Sequence, residues 1–349
     1  MLTIFSTITP HQRHRSRAAI GICLASLTTV VALFFTAVQI KLHTLDTIQR
    51  DASTAATALS PEPFPISVNP QQQTITISSE QDDYVESYAT QYLTQQTSER
   101  WFNEFISRFS HMNWYQNLAT PHTRILIILP GERKEQVAQH FGSILNWSHA
   151  DTTHFLSLLA TTPPAFTDGT LLPGRYILPT TTDPATAHQM INDRFQAAVL
   201  DRYPTDYESI VPLHDALIIA SLLEREAYDF TDMRIISGII WNRLFINMPL
   251  QIDATLQYAR AETDPNLSTW WPVPRPADKF IDSPYNTYQH RGLPPGPIAN
   301  AHVASIIAAL NPRQTECLFY FHDRNAGFHC SETYEEHVAK LSEHYGRGR

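Results

Sequence analysis

The chain has 349 residues, 43% hydrophobic and 17% charged, which is room for about two domains and a membrane segment. A formal net charge of −9, with no long basic run past the first residues, excludes nucleic acid as a partner, since phosphate binding needs clustered Lys and Arg. With 11 Gly, 24 Pro and neither a GxxxxGK[ST] nor a GxGxxG string, a nucleotide cradle is not expected.

Residues 18–40, AAIGICLASLTTVVALFFTAVQI, carry no charge. At about 1.5 Å per helical residue they can cross a hydrocarbon core of about 30 Å. Arg13, Arg15 and Arg17 precede them, and the leader 1–17 has no acidic residue. The positive-inside rule then places the leader in the cytoplasm and the rest outside it. A cleaved signal peptide would have a shorter apolar run and a small-x-small site, which is not clear here. The expectation is a single-pass inner-membrane protein with a periplasmic remainder. Residues 41–65, including DASTAATALSPEPFP, read as a flexible tether.

Residues 66–165 read as a small α/β module. ISVNPQQQTITISS alternates like a strand pair, and YVESYATQYLTQQTSERWFNEFISRF has helical spacing. RILIIL (124–129) is a short buried-type strand before the turn Pro130-Gly131. ERKEQVAQHFGSIL follows as a helix with Val137, Phe141 and Ile144 on one stripe. No catalytic constellation is visible in this stretch.

From residue 166 the character changes. DGTLLPGRYIL is a turn and strand, and ATAHQMINDRFQAAVLDRY is an amphipathic helix. HDALIIASLLEREAY and MRIISGIIWNRLF are strongly apolar helices. MPLQIDATLQY reads as strand or loop, and 264–300 is a Pro-rich loop. VASIIAALNP is a helix stopped by Pro312. CLFYFHDRNAGFHC is a hairpin turning at 323–327, and TYEEHVAKLSEHY is a closing helix. Helices and strands do not alternate regularly, so residues 166–345 are assigned as α+β.

Of three cysteines, Cys23 lies in the apolar run. Cys317 and Cys330 flank the hairpin and either pair in an oxidising compartment or stay as two small buried thiols. There are 16 His but no HExxH and no tight His/Asp/Cys cluster along the chain, so neither a metal nor a cofactor is expected.

The helix from His214 carries two acids, Glu224 and Glu226, about 200° apart around its axis. Behind Glu226 stand Leu223, Leu222 and Ile219. Behind Glu224 stand Ser221, Ala220 and Leu217, a weaker stripe. Glu226 is therefore the acid expected to lose hydration, and its pKa should rise as a general acid requires. Glu224 is the second candidate. A helix-end ion pair with Arg225 or Arg234 is the structural alternative. Downstream, Gln251, Asp253, Thr255 and Gln257 supply polar groups, while Tyr285 and Tyr288 supply flat faces for sugar rings and Asn286 and Thr287 hydrogen bonds. Loops this long are uncommon in compact domains unless functional. Trp270 and Trp271 are either sugar platforms or loop anchors.

Three strings then carry a resemblance: ALIIASLLEREA, GIIWNRLFINMPLQIDATLQYA and SPYNTYQHRGLPPGPIANAHVASIIAALNP. In order, spacing and composition they resemble the YceG-like endolytic murein transglycosylases across roughly 166–340, with TYEEHV matching the closing helix. The family's usual LysM-like module would fall in 66–165, where ILPGERKEQVAQHF is the best remnant. The resemblance implies cleavage of the MurNAc–GlcNAc bond inside peptidoglycan glycan strands, leaving 1,6-anhydroMurNAc ends. That is a lyase step without cofactor. The family's catalytic acid is the second of its E-x-E motif, which falls on Glu226. Gln251, Asp253, Thr255 and Tyr285, Asn286, Thr287 and Tyr288 would then position the strand. Peptidoglycan synthases or divisome proteins are the implied protein partners, and termination of strand growth the implied role. Asp168 stands where the family has Glu, Gly174-Arg175 replace Asp-Thr, and Ala254 replaces Pro. His329 is displaced from the family's GGHxF pattern and receives no role. These departures leave open a decayed, glycan-binding scaffold, and a hydrolase is the other alternative.

Overall fold

The structure is a computed structural model that describes residues 36, 39, 62–88, 122–161, 168–264 and 266–346. The leader and nearly all of the expected membrane segment 18–40 and tether 41–65 lie outside these residues, as does most of the helix expected over 84–109. Among the described residues no helix is long and apolar enough to cross a membrane. The elements below belong to the unit Ala55–Arg349.

Three two-stranded antiparallel ribbons are set among helices, an α+β arrangement. Strands β1 (Val68–Asn69) and β2 (Thr74–Ile75) form the short hairpin read from ISVNPQQQTITISS. Strand β3 (Thr123–Ile128) leads into helices α1 (Lys134–Leu145) and α2 (His149–Thr161). It pairs with β4 (Gly174–Pro179), so one ribbon spans the boundary expected at 165. Helix α3 (Pro184–Ala198) follows, capped by Asp183, whose carboxylate accepts the N–H groups of Ala185 and Thr186. Leu126, Ile128, Val137, Phe141, Leu145, Phe155 and Ile191 form the core of this half. In α1, Leu145 rather than Ile144 completes the buried stripe with Val137 and Phe141.

A second core forms around α4 (Leu213–Glu226), α5 (Phe230–Phe245) and α7 (Val303–Leu310). Every residue of α7 is buried, which is why VASIIAAL has no polar face. Each Leu or Ile so buried contributes about 1.5–3 kcal/mol. The Trp241 indole N–H donates to the Ala309 carbonyl at 2.9 Å, tying α5 to α7.

The segment expected as strand or loop at 251–257 is instead the start of helix α6 (Asp253–Thr263). Of its buried residues, Ala254, Thr255, Tyr258 and Ala259 recur at helical spacing, and Leu256 widens the buried face. The apparent two-residue alternation of Gln251, Asp253, Thr255 and Gln257 was a coincidence of polar side chains across a helix start. Strands β5 (Phe319–His322) and β6 (Phe328–Ser331) form the expected hairpin, and α8 (Tyr334–Tyr345) closes the chain.

Cys317 and Cys330 are joined by a disulfide across the base of that hairpin. Their sequence separation of 13 corresponds to about 3 kcal/mol of loop-closure stabilisation. Replacing both with Ala is expected to lower stability by about that amount. Urea denaturation measures it, and an unchanged midpoint contradicts it.

Candidate active site

The last turn of α4 carries both acids to the surface of the second core. The apolar stripe predicts that Glu226 is the more buried acid, but both are half-buried, because Leu217, Ala220 and Ser221 are as buried as Ile219, Leu222 and Leu223. Burial pushes both carboxyls above the ordinary value of 4.5. They differ in their partners. Glu224 turns to the N-terminus of α7, where it accepts the His302 N–H at 3.0 Å and the Ser305 hydroxyl at 2.5 Å. Its charge meets the positive end of a helix, a structural use of an acid. Arg225 lies between the two acids in sequence and stacks on Trp271, 3.9 Å from the ring centroid.

Glu226 turns the other way, toward α6 and the β5–β6 hairpin. It accepts the Tyr320 hydroxyl at 3.0 Å and the Ala254 N–H at 3.4 Å. Both bonds favour the charged form. Burial outweighs them, the neighbouring Asp253 adds to the rise, and Arg225 opposes it. Asp253 accepts the Tyr288 hydroxyl at 2.7 Å. The Tyr288 ring in turn faces the Lys279 ammonium at 4.7 Å.

Of the residues singled out in the sequence, Glu226, Asp253 and Tyr288 are thus brought into one chain of contacts. Gln251 is exposed beside them, in a left-handed backbone conformation at φ 50°. Thr255, Asn286 and Thr287 are buried and bonded within the protein. The Thr287 hydroxyl accepts the Ile252 N–H at 3.0 Å and lies 2.9 Å from the Thr255 hydroxyl. The Thr287 carbonyl accepts the Gln251 N–H at 3.1 Å. Asn286 donates to the carbonyls of Lys279 and Ile281 at 3.1 and 2.8 Å. Thr255 and Thr287 weld the SPYNTY loop to the start of α6, beside Glu226, while Asn286 ties that loop to the preceding segment at 279–281. Tyr285 packs on Tyr258 with ring centroids 4.6 Å apart.

Trp271 is a loop anchor, its indole N–H donating to Gln136 at 3.1 Å. Trp270 lies 5.1 Å from the Arg133 guanidinium. Asp168 is fully buried, accepting the Lys134 N–H at 2.7 Å and the Tyr258 hydroxyl at 3.1 Å. His329 pairs with Phe321 in the hairpin register, whereas Tyr320 and His322 alternate to the opposite face. His329 therefore faces away from Glu226. Tyr320 was not singled out in the sequence. Strand alternation marks it as sharing a face with His322, but only the docking of the hairpin shows which face meets the acid.

A half-buried acid with a raised pKa, held by a phenol beside a carboxylate–tyrosine pair on an α+β frame, is an arrangement chemically able to give and take back a proton. The chain belongs to the YceG-like family, whose model matches residues 79–343. It is similar to an endolytic murein transglycosylase of Bacillus subtilis strain 168, with 40% identity over 127 residues, 36% of this chain and 33% of the relative. It is also similar to an endolytic murein transglycosylase of Streptococcus pneumoniae D39, with 30% identity over 183 residues, 51% of this chain and 32% of the relative. The chain thus spans about a third of the length of these curated relatives. The crystal structure of a putative yceG-like protein from Listeria monocytogenes superposes with a TM-score of 0.52 at 25% identity, covering 66% of this chain and 81% of that one.

Proposed function

We propose that this chain is an endolytic peptidoglycan lytic transglycosylase that cuts MurNAc–GlcNAc bonds within glycan strands and leaves 1,6-anhydroMurNAc ends. The observation that carries this reading is the placement of Glu226, half-buried between the start of α6 and Tyr320 of the hairpin, next to the Asp253–Tyr288 pair. Protonated Glu226 gives its proton to the glycosidic oxygen as the bond to the muramyl C1 breaks. Positive charge develops at C1 and the ring oxygen. The Glu226 carboxylate then takes the proton from the C6 hydroxyl of the same sugar, which closes on C1. The acid is regenerated, no water is consumed and no second carboxylate nucleophile is required. Holding the C6 hydroxyl near C1 supplies several kcal/mol of the barrier through proximity. Asp253 and Tyr288, hydrogen-bonded to each other beside Glu226, are the groups assigned to positioning the strand, and their proximity to the acid supports that role.

Membrane anchoring by residues 18–40, with the site outside the cytoplasm, belongs to the same proposal. It is supported by the arginine-flanked apolar run and by the Cys317–Cys330 disulfide, since disulfides persist in oxidising compartments. Strands still being made by a peptidoglycan synthase are the substrate such a tether would meet, and cutting them would end their growth.

Digestion of purified strands in water labelled with heavy oxygen tests the chemistry. Intramolecular closure leaves the new ends unlabelled. Labelled reducing ends would make the enzyme a hydrolase, and binding without cleavage would make the chain a scaffold.

The raised pKa of Glu226 sets the sign of the pH dependence. The first step needs the protonated acid, so kcat/KM is expected to fall as pH rises through that pKa, on a limb lying above the ordinary carboxyl value of 4.5. Tyr320→Phe removes a donor that favours the charged form, so the limb should move to higher pH. A limb that stays in place or moves down contradicts the assignment of Tyr320.

A further inference from the structure

The face of the β5–β6 hairpin turned away from Glu226 packs on α8, and three potential metal ligands meet there. Asp323 follows β5 directly and opens the turn. Its Oδ1 accepts the N–H groups of Asn325 and Gly327 at 2.8 and 2.9 Å, which fixes the carboxylate. Its Oδ2 is left to two imidazoles from different elements. His329 Nε2 on β6 stands 2.9 Å from it, and His344 Nδ1 in the last turn of α8 stands 3.7 Å from it. The two rings lie 4.1 Å apart, and the three donor atoms all fall within 4.8 Å of one another. Gly327 leaves room for the group, because a Cβ there would stand 2.8 Å from Oδ2.

We propose that Asp323, His329 and His344 form a binding site for a divalent transition-metal ion of the zinc class. Two imidazole nitrogens and one carboxylate oxygen are the donors such ions prefer, and three protein ligands leave a fourth position for water. With bonds of about 2.1 Å, tetrahedral donors stand about 3.4 Å apart. The two spacings to Oδ2 bracket that value. A simple ion pair accounts for one imidazole on the carboxylate but not for the second, brought to the same oxygen from the closing helix. The metal would clamp α8 to the hairpin that carries Tyr320 on its other face. The site lay hidden in the sequence because its ligands come from three separate positions with no ligand-like spacing.

Metal-stripped protein, kept non-reducing so that the disulfide stays closed, is titrated with zinc ion by calorimetry and by competition with a chromophoric chelator. The expected result is one tight equivalent in the wild type that also raises the thermal midpoint. Affinity for that equivalent should fall at least about a hundredfold in His329→Ala, Asp323→Asn and His344→Ala, since each removes a ligand outright. His344 is exposed at the end of α8, so its variant keeps the test valid should the turn variants fold poorly. His154→Ala, at an exposed position on α2, should bind as the wild type does. Absence of binding, or equal affinity in the His344→Ala protein, overturns the proposal. Activity is not part of the readout, so the result is independent of the Glu226 chemistry.

Discussion

Glu226→Gln is expected to lower the rate of strand cleavage by about a thousandfold or more while leaving strand binding unchanged. General acid–base catalysis is worth about 10²–10⁴ in rate, and in the proposed mechanism one group performs both proton transfers. A thousandfold loss corresponds to about 4 kcal/mol of barrier. The amide is nearly isosteric: its one carbonyl oxygen can still accept the Ala254 N–H while its NH2 donates to the Tyr320 oxygen, so the pocket should keep its shape. Glu224→Gln makes the contrast. Glu224 accepts from the α7 N-terminus at His302 and Ser305, so its loss should reduce stability more than turnover. Release of anhydromuramyl ends at saturating strand concentration measures the first effect, and denaturant unfolding the second. A folded Glu224→Gln protein without activity, beside an active Glu226→Gln protein, would reverse the two roles.

Asn300→Ala is expected to cost about 4 kcal/mol of stability. Asn300 is fully buried at the end of GLPPGPIAN, and its side chain ties three segments together. Its Oδ1 accepts the N–H groups of Gly169 and Leu171, each at 3.0 Å, and its Nδ2 donates to the Glu132 carbonyl at 2.9 Å. Alanine leaves both N–H groups buried without a partner, at about 1–3 kcal/mol each, and opens a small cavity. Neither segment can easily move to compensate. Gly169 is in a left-handed conformation at φ 95°, with Pro297 only 2.8 Å from the position of an added Cβ. Asn300→Asp keeps the acceptor and should cost less at a pH where it is protonated. Urea denaturation distinguishes these outcomes, and a loss below about 1 kcal/mol for Asn300→Ala would contradict the clamp.

The elements legible in the sequence are those whose pattern is set locally. Helices α4 and α5 announce themselves by apolar runs, α7 by the absence of any polar face, and the β5–β6 hairpin by aromatic alternation around an Asp-to-Gly turn. The β3–β4 pairing is not legible, because two helices separate the strands and nothing in either specifies the partner. Residues 251–257 mislead for a physical reason: a helix start with polar residues at every second position imitates a strand until Thr255 and Tyr258 are seen to share the core. In the site, the E-x-E pair is legible as two acids facing apart, but their apolar neighbours do not rank them. Rank comes from what each meets in space, a helix N-terminus for Glu224 and a tyrosine from a distant strand for Glu226. Asn286 and Thr287 read as sugar contacts because they are polar and in a loop. The fold spends them on the backbone that holds Tyr288 and Asp253 in place.

In the proposed mechanism a single carboxyl at position 226 carries the proton both to the leaving oxygen and from the C6 hydroxyl. That claim is tested most directly by incubating purified glycan strands with the wild type and with Glu226→Gln, side by side, and counting anhydromuramyl ends by mass. The wild type should accumulate internal cuts ending in the anhydro sugar while the variant binds strands and yields none above background. Anhydro ends appearing at the same rate in both would contradict the claim.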